Sequence, residues 1–223
     1  MSACLENETD VTQELIKERH RSCVIGSIFA SVAFLEAAIN ELYAAASDKM
    51  LDHPGLADEL RTRLATIWSI EHFRRGARVL EKYQCALGLA GAKQFDKGAQ
   101  PYQDAKLLVD LRNALVHFVP ETAPIKGESG VEIPVHKFGK QFRGKFKTNP
   151  FAAKYAVISS SSSPETATYP FFPEHCLSHG CAQWAVNTSL TFADHFFNAL
   201  NLKWYYEYLR PIVATDCKPS EAG

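Results

Sequence analysis

Hydrophobic residues return at helical intervals over four long stretches of the chain, and one irregular stretch interrupts the series. In the first, Ile25, Ile28, Val32, Leu35, Ile39, Leu42 and Ala46 alternate spacings of three and four, so they share one helical face. Beside them runs a second row, Phe29, Ala33, Glu36, Asn40 and Tyr43, which sets polar groups into an otherwise apolar surface. Asp52–Gly55 breaks the pattern, and Pro54 suits the first turn of a second helix. That helix is predicted over about Leu56–Leu89 from Leu60, Leu64, Ile67, Phe73, Ala77, Leu80 and Leu87. Gly76, Gly88 and Gly91 predict a kink or an early end within it. The third helix opens near Pro101 and ends at Pro120, with Leu107, Leu108, Leu111, Ala114, Leu115 and Phe118 as its stripe. The fourth follows Pro173, and Val186, Leu190, Ala193, Phe197, Leu200 and Trp204 keep three–four spacing until Pro211 stops it.

Helices with such seams bury them against one another, so the predicted fold class is all-α, an antiparallel helical bundle. Between the third and fourth helices lies a long insertion, residues 119–172, which holds most of the Pro, Gly and Ser punctuation. Within it Val131–Val135 and Tyr155–Ile158 read as short strands, and Ser159–Ser163 as a serine loop. An insertion of this length in a compact bundle carries function or disorder. No internal repeat or domain boundary is visible, so 1–223 reads as a single domain.

Composition narrows the classes. The 223 residues are 46% hydrophobic, with 24 Lys+Arg against 25 Asp+Glu, which excludes a disordered or fibrous chain. A net charge of −1 removes any global argument for nucleic acid or an anionic membrane. Locally the balance differs. Lys137, Lys140, Arg143, Lys145, Lys147 and Lys154 form a run without an acid, and setting these six aside leaves −7 for the rest. Phe138, Phe142, Phe146 and Phe151 interleave with them, a pattern that suits a single-stranded RNA backbone with stacked bases. The same pattern also fits phenylalanines that anchor the segment while its lysines face water. Lys140, Arg143, Lys145 and Lys147 are the substrate-binding candidates.

Six scattered cysteines read as reduced thiols of a cytosolic protein. Residues 1–21 are polar and of mixed charge, which predicts no export signal. Ser22–Leu35 is uncharged for only 14 residues and is then interrupted by Glu36, Asn40 and Glu41, so no membrane span is expected. The expected location is the cytoplasm. His175, Cys176, His179 and Cys181 gather four metal-ligand types in one run. They open a helix and lack a second ligand couple, so no metal and no cofactor are expected.

The most informative stretch is Asp110-Leu111-Arg112-Asn113-Ala114-Leu115-Val116-His117-Phe118. Arg112, Asn113 and His117 lie off the core stripe, and Val109 and Val116 form a small second apolar strip between them. A helix with a second apolar strip wants a second surface to cover it, which a symmetric partner helix would supply. Arginine offers a fixed fork of donors for phosphate, and histidine moves protons near neutral pH. With a carboxamide, these groups suffice for RNA cleavage without a metal. The alternative is a solvated arginine and a histidine favoured by the helix C-terminus.

Arg112-Asn113-x3-His117 near the end of the third helix of an all-α bundle resembles the HEPN superfamily, whose motif is Arg-x4–6-His, often with Asn after the Arg. The resemblance covers about residues 12–120 and 173–210, with 171–186 looking like a fourth-helix start in bacterial proteins of this kind. It implies a homodimer acting as a metal-independent endoribonuclease, as in toxin–antitoxin or anti-phage systems, with an antitoxin protein as a further partner. Arg112, Asn113 and His117 would be catalytic, and Glu36 and Asn40, one turn apart on the first helix, would support them. Glu36 and Asn40 equally suit a buried polar pair satisfied by neighbouring helices. Two rival readings remain: a non-catalytic RNA- or nucleotide-binding module, and a structural dimerisation protein.

Overall fold

The computed structural model describes residues 2–48, 55–117, 137–149, 154–157, 165–168 and 171–203, together with Tyr206, and these are mostly helical. Helices are α1 (Ser2–Ser47), α2 (Asp58–Trp68), α3 (Glu71–Gly76), α4 (Val79–Leu89), α5 (Tyr102–Val116), α6 (Lys137–Gln141) and α7 (His179–Ala199). A π-helical turn spans Phe171–His175. Strands β1 (Lys154–Val157) and β2 (Glu165–Thr168) pair antiparallel, from Lys154 opposite Thr168 to Val157 opposite Glu165. The strand expected at Tyr155–Ile158 is therefore β1, one residue earlier. Val131–Val135, Ser159–Ser163, Phe118, Pro120, Phe151, Trp204 and Pro211 lie outside the described residues.

The chain divides into two compact units. Unit 1 is Met1–Val32 with Lys106–Thr188, unit 2 is Ala33–Ala105 with Ser189–Gly223, and the division falls within α1, α5 and α7.

The predicted face of α1 is the buried one: Ile28, Val32, Leu35, Ile39, Leu42 and Ala46 are all buried, with Val24 in place of Ile25. Thr12–Ser47 contains an 18-residue window of mean hydropathy 1.9, long and apolar enough to cross a membrane by length and composition, with 39% of that window buried in the protein. The uncharged run Ser22–Leu35 is too short by itself, but the helix continues well past both of its ends.

The second predicted helix is three helices. Ile70 and Arg78 are extended (ψ 108° and 147°), which breaks the spiral before α3 and again before α4. Glu81 accepts the Arg78 N–H at 3.2 Å, so the new start at α4 is capped. Gly76 ends α3 and Gly88 stays inside α4. Gly91 takes the left-handed φ of 67° that closes α4, with Ala92 N–H donating to Leu87 O at 3.0 Å and Gly91 N–H to Gly88 O at 3.1 Å.

The fourth helix is shorter than predicted at both ends. It begins only after Ser178, whose hydroxyl accepts the Cys181 N–H at 3.0 Å as an N-cap. It stops at Ala199, ahead of Pro211, because Asn201 adopts φ 54° and Leu202 N–H turns back to Phe197 O at 3.0 Å. Its buried row is Cys181, Ala185, Thr188, Ser189, Phe192 and Phe196 with Ala193 and Phe197 beside it; Val186 and Leu190 are only half-buried. The face is thus turned by about one residue from the predicted seam, because Tyr83 draws Phe192 and Phe196 inward, its ring edge-on to theirs at centroid distances of 5.0 and 4.6 Å.

Unit 2 has a dense core. Leu35, Ile39, Leu42, Tyr43, Leu64, Tyr83, Leu87, Phe192 and Phe196 are fully buried. Tyr83 keeps its hydroxyl satisfied by donating to Leu35 O at 2.8 Å. Gln84 pins the stretch after α4 by a two-way bond, Nε2 to Phe95 O at 2.8 Å and Phe95 N–H to Oε1 at 2.9 Å.

Unit 1 holds the end of α5, α6, the hairpin, the π-helical turn and the start of α7. Phe172 in that turn is extended (φ −110°, ψ 135°), as the residue before Pro173 prefers. Phe138 and Phe142 are buried, with Phe138 at 5.2 Å from Phe172 and Phe142 edge-on to Trp184 at 5.0 Å.

Candidate functional site

The Arg-Asn-x3-His motif occupies the last turn of α5, in unit 1. Leu107, Leu108 and Leu111 are buried and hold this helix down, while Ala114 and Leu115 are half-buried. Asn113 and His117 are exposed one turn apart, and the His117 N–H continues the spiral to Asn113 O at 2.9 Å. Arg112 is half-buried. Val116, beside it on the next turn, is 48% exposed, a large apolar side chain left facing outward. One turn earlier on the Asn113–His117 row, Asp110 is engaged by Lys106 at 2.7 Å.

The basic segment lies in the same unit, anchored by its phenylalanines. Phe138 and Phe142 are buried and Phe146 is half-buried, its ring 5.1 Å from Phe142. Lys137, Lys140, Arg143 and Lys147 are exposed, and Lys145 is half-buried. Aromatic anchoring therefore turns the charges outward.

Ser178 fixes this segment to α7, its hydroxyl donating to Lys147 O at 2.7 Å, and Asn149 N–H donates to His175 O at 3.0 Å. Of the candidate metal group, Cys176 and Cys181 are buried and His179 is exposed. A hydrogen bond with Cys181, and burial, push the Cys176 thiol far above its ordinary range. Among the described residues no three metal-ligating side chains come together.

Glu36 and Asn40 lie on α1, in unit 2. Asn40 joins a lock that sequence reasoning missed. Lys82 is only 3% exposed, and its ammonium donates to Asn40 Oδ1 at 2.8 Å and to Arg74 O at 2.9 Å. The same ammonium sits 5.4 Å from the centre of the Trp68 ring. Desolvation lowers the Lys82 pKa from its ordinary 10.5, and the nearby Glu36 charge opposes that shift. Tyr43 stacks on Trp68 at 5.4 Å and donates its hydroxyl to Lys82 O at 3.0 Å. The arrangement ties α1, α3 and α4 together through one cation. The exposed stretch at Arg74 and Arg75 in α3 gives no hint of it, because the bond is to a backbone carbonyl. Also unanticipated is the wall that Gln183, Trp184 and Asn187 offer beside Lys145 and Lys147.

Comparison with protein-family models, curated proteins and solved structures finds no match to this chain.

Proposed function

We propose that the chain is a metal-independent endoribonuclease of the HEPN type, a helical bundle acting as a cytoplasmic homodimer. The observation that carries this reading is the exposure of Asn113 and His117 on the final turn of α5, beside Arg112 and an uncovered Val116. Val116 gives a second copy an apolar surface to cover, which would bring two motifs together. The exposed Lys140, Arg143 and Lys147, with Lys145, would hold the RNA backbone. A toxin or anti-phage role, with an antitoxin protein as partner, is the cellular setting in which such an enzyme fits.

In this reaction the His117 imidazole takes the proton of a ribose 2′-hydroxyl. The 2′ oxygen attacks the adjacent phosphorus, the bond to the 5′ oxygen breaks, and that oxygen takes a proton from solvent water while the His117 imidazolium returns its own to solvent. The Arg112 guanidinium and the Asn113 carboxamide stabilise the charge that builds on the phosphate oxygens. Glu36 and Asn40 would support these groups from α1. The products are a 2′,3′-cyclic phosphate and a 5′-hydroxyl.

Incubation of a mixed RNA pool with the protein in EDTA tests this. Wild type should leave cyclic-phosphate ends, and His117→Ala of unchanged circular dichroism should leave none. RNA that is bound by both proteins and cut by neither would instead support the second reading, a binding module built on the anchored basic segment.

A further inference from the structure

The geometry points to an open cleft between the basic segment and the start of α7 as a subsite for one nucleotide of a single-stranded RNA. Its volume is about 520 Å³, within the range of small-ligand sites, and Lys145, Lys147, Gln183, Trp184 and Asn187 line it. The subsite takes the identity of its natural ligand from the RNA reading above, and needs none of the cleavage chemistry.

Both walls are held in place. Gly180 in α7 lets the segment close on the helix: a Cβ there would stand 3.0 Å from Phe146 Cβ and 3.3 Å from Lys147 N. A side chain there would require Phe146 and the Lys147 backbone to give by a few tenths of an ångström. The Ser178 hydroxyl bond to Lys147 O and the Asn149 bond to His175 O clamp the same few residues from either side. A cleft so built is a preformed surface and not a gap between mobile loops.

The lining matches a nucleotide in each of its parts. Lys145 and Lys147 supply two cations, and among the described residues no carboxylate lines the cleft. Residues 137–149 contain no acid, and α7 has none before Asp194, which favours a positive field at the cleft. Trp184 brings a broad π surface, with Phe142 edge-on to it (85°) holding the indole in orientation. Gln183 and Asn187 stand one turn apart, exposed, and each offers a donor and an acceptor to the edge of a base. Stacking on an aromatic ring, with hydrogen bonds to the base edge and cations on the phosphate, is how proteins hold unpaired bases.

The test is fluorescence anisotropy with the full chain and labelled 2′-O-methyl hexanucleotides. These lack the 2′ nucleophile, so binding is read apart from cutting. Trp184→Leu should weaken binding about tenfold, the scale of one stacked base. Lys145→Gln with Lys147→Gln should lower the salt slope by about two, one for each phosphate no longer neutralised. Gln183→Ala with Asn187→Ala, at two exposed side chains, should flatten the preference among A6, U6 and C6 without unfolding the protein. Adenosine monophosphate should compete at concentrations where inorganic phosphate does not. The inference is overturned if both double variants bind as wild type, or if phosphate competes as well as the nucleotide. A protein that binds in this way yet cuts no RNA keeps the subsite and loses the nuclease. One that cuts RNA while these variants bind unchanged loses only the subsite.

Discussion

Lys82 in unit 2 and the basic segment of unit 1 use their cations in opposite ways. In unit 2, Lys82 is drawn under Trp68 and its ammonium is used up on Asn40 and the Arg74 carbonyl. In unit 1, Phe138 and Phe142 go inward and leave Lys137, Lys140, Arg143 and Lys147 in solvent. A buried cation with fixed hydrogen bonds contributes order and offers nothing to a ligand. Solvated cations on an anchored segment contribute little to stability and are available to an anion. The difference separates a part of the molecule that holds itself together from a part that presents chemistry. Substitutions in the first should therefore be read in stability, and in the second in binding or turnover.

The largest effect expected is at Lys82. Lys82→Met keeps the stem but strips Asn40 and the α3 carbonyl of their charged donor, which should cost about 2–4 kcal/mol. Urea unfolding should show it as a lower midpoint at unchanged slope. An equal midpoint would break the contrast at its stronger end.

Gly180→Val follows. Crowding Phe146 and the Lys147 backbone should cost about 1–3 kcal/mol. It should also free the segment, so that limited trypsin digestion cuts faster after Lys145 and Lys147 than in wild type. Unchanged digestion would mean the clamp does not depend on the glycine.

Alkaline titration sharpens the same contrast with a smaller effect. Burial raises the Tyr43 and Tyr83 phenols well above their ordinary 10.0. The folded chain therefore keeps protons that the unfolded chain gives up, and these two groups make stability fall as pH rises past about 10. Lys82 acts with the opposite sign: its lowered value means the folded chain releases that proton first, so its contribution rises with pH over the interval below 10.5. Tyr43→Phe should make the alkaline loss shallower, and Lys82→Met should make it steeper. Parallel titration curves for all three proteins would contradict both signs.

The smallest effect belongs to the Lys106–Asp110 pair, whose side chains are 60% and 37% exposed. Lys106→Gln should shift stability by less than about 0.5 kcal/mol. A larger shift in thermal melting would show that exposed charge in unit 1 carries structural weight after all.

What the sequence reveals depends on how local the cause is. The buried face of α1 follows from spacing alone, and all but one of its predicted positions are buried. The buried face of α7 does not, because Phe192 and Phe196 are turned inward by Tyr83, more than a hundred residues away in the chain. Gly91 and Asn201 close α4 and α7 through a left-handed backbone, a property that helical periodicity does not encode. The Arg112–Asn113–His117 motif is legible because it lies within one turn and a half of one helix. Lys82 is not, since a lysine in an amphipathic pattern reads as solvent-facing until the carbonyl it serves is known. The cleft at Trp184 depends on residues 145–149 meeting 178–187, and no spacing within either stretch announces the other.

In the proposed function, chemistry resides in unit 1 while Lys82 only holds unit 2 together. The most direct test is the rate of 2′,3′-cyclic phosphate formation on single-stranded RNA in EDTA. It should be measured side by side for wild type, His117→Ala and Lys82→Met, at a temperature where all three are folded. Wild type and Lys82→Met should cut at similar rates, and His117→Ala should not cut. Equal cutting by His117→Ala, or loss of cutting in folded Lys82→Met alone, would contradict it.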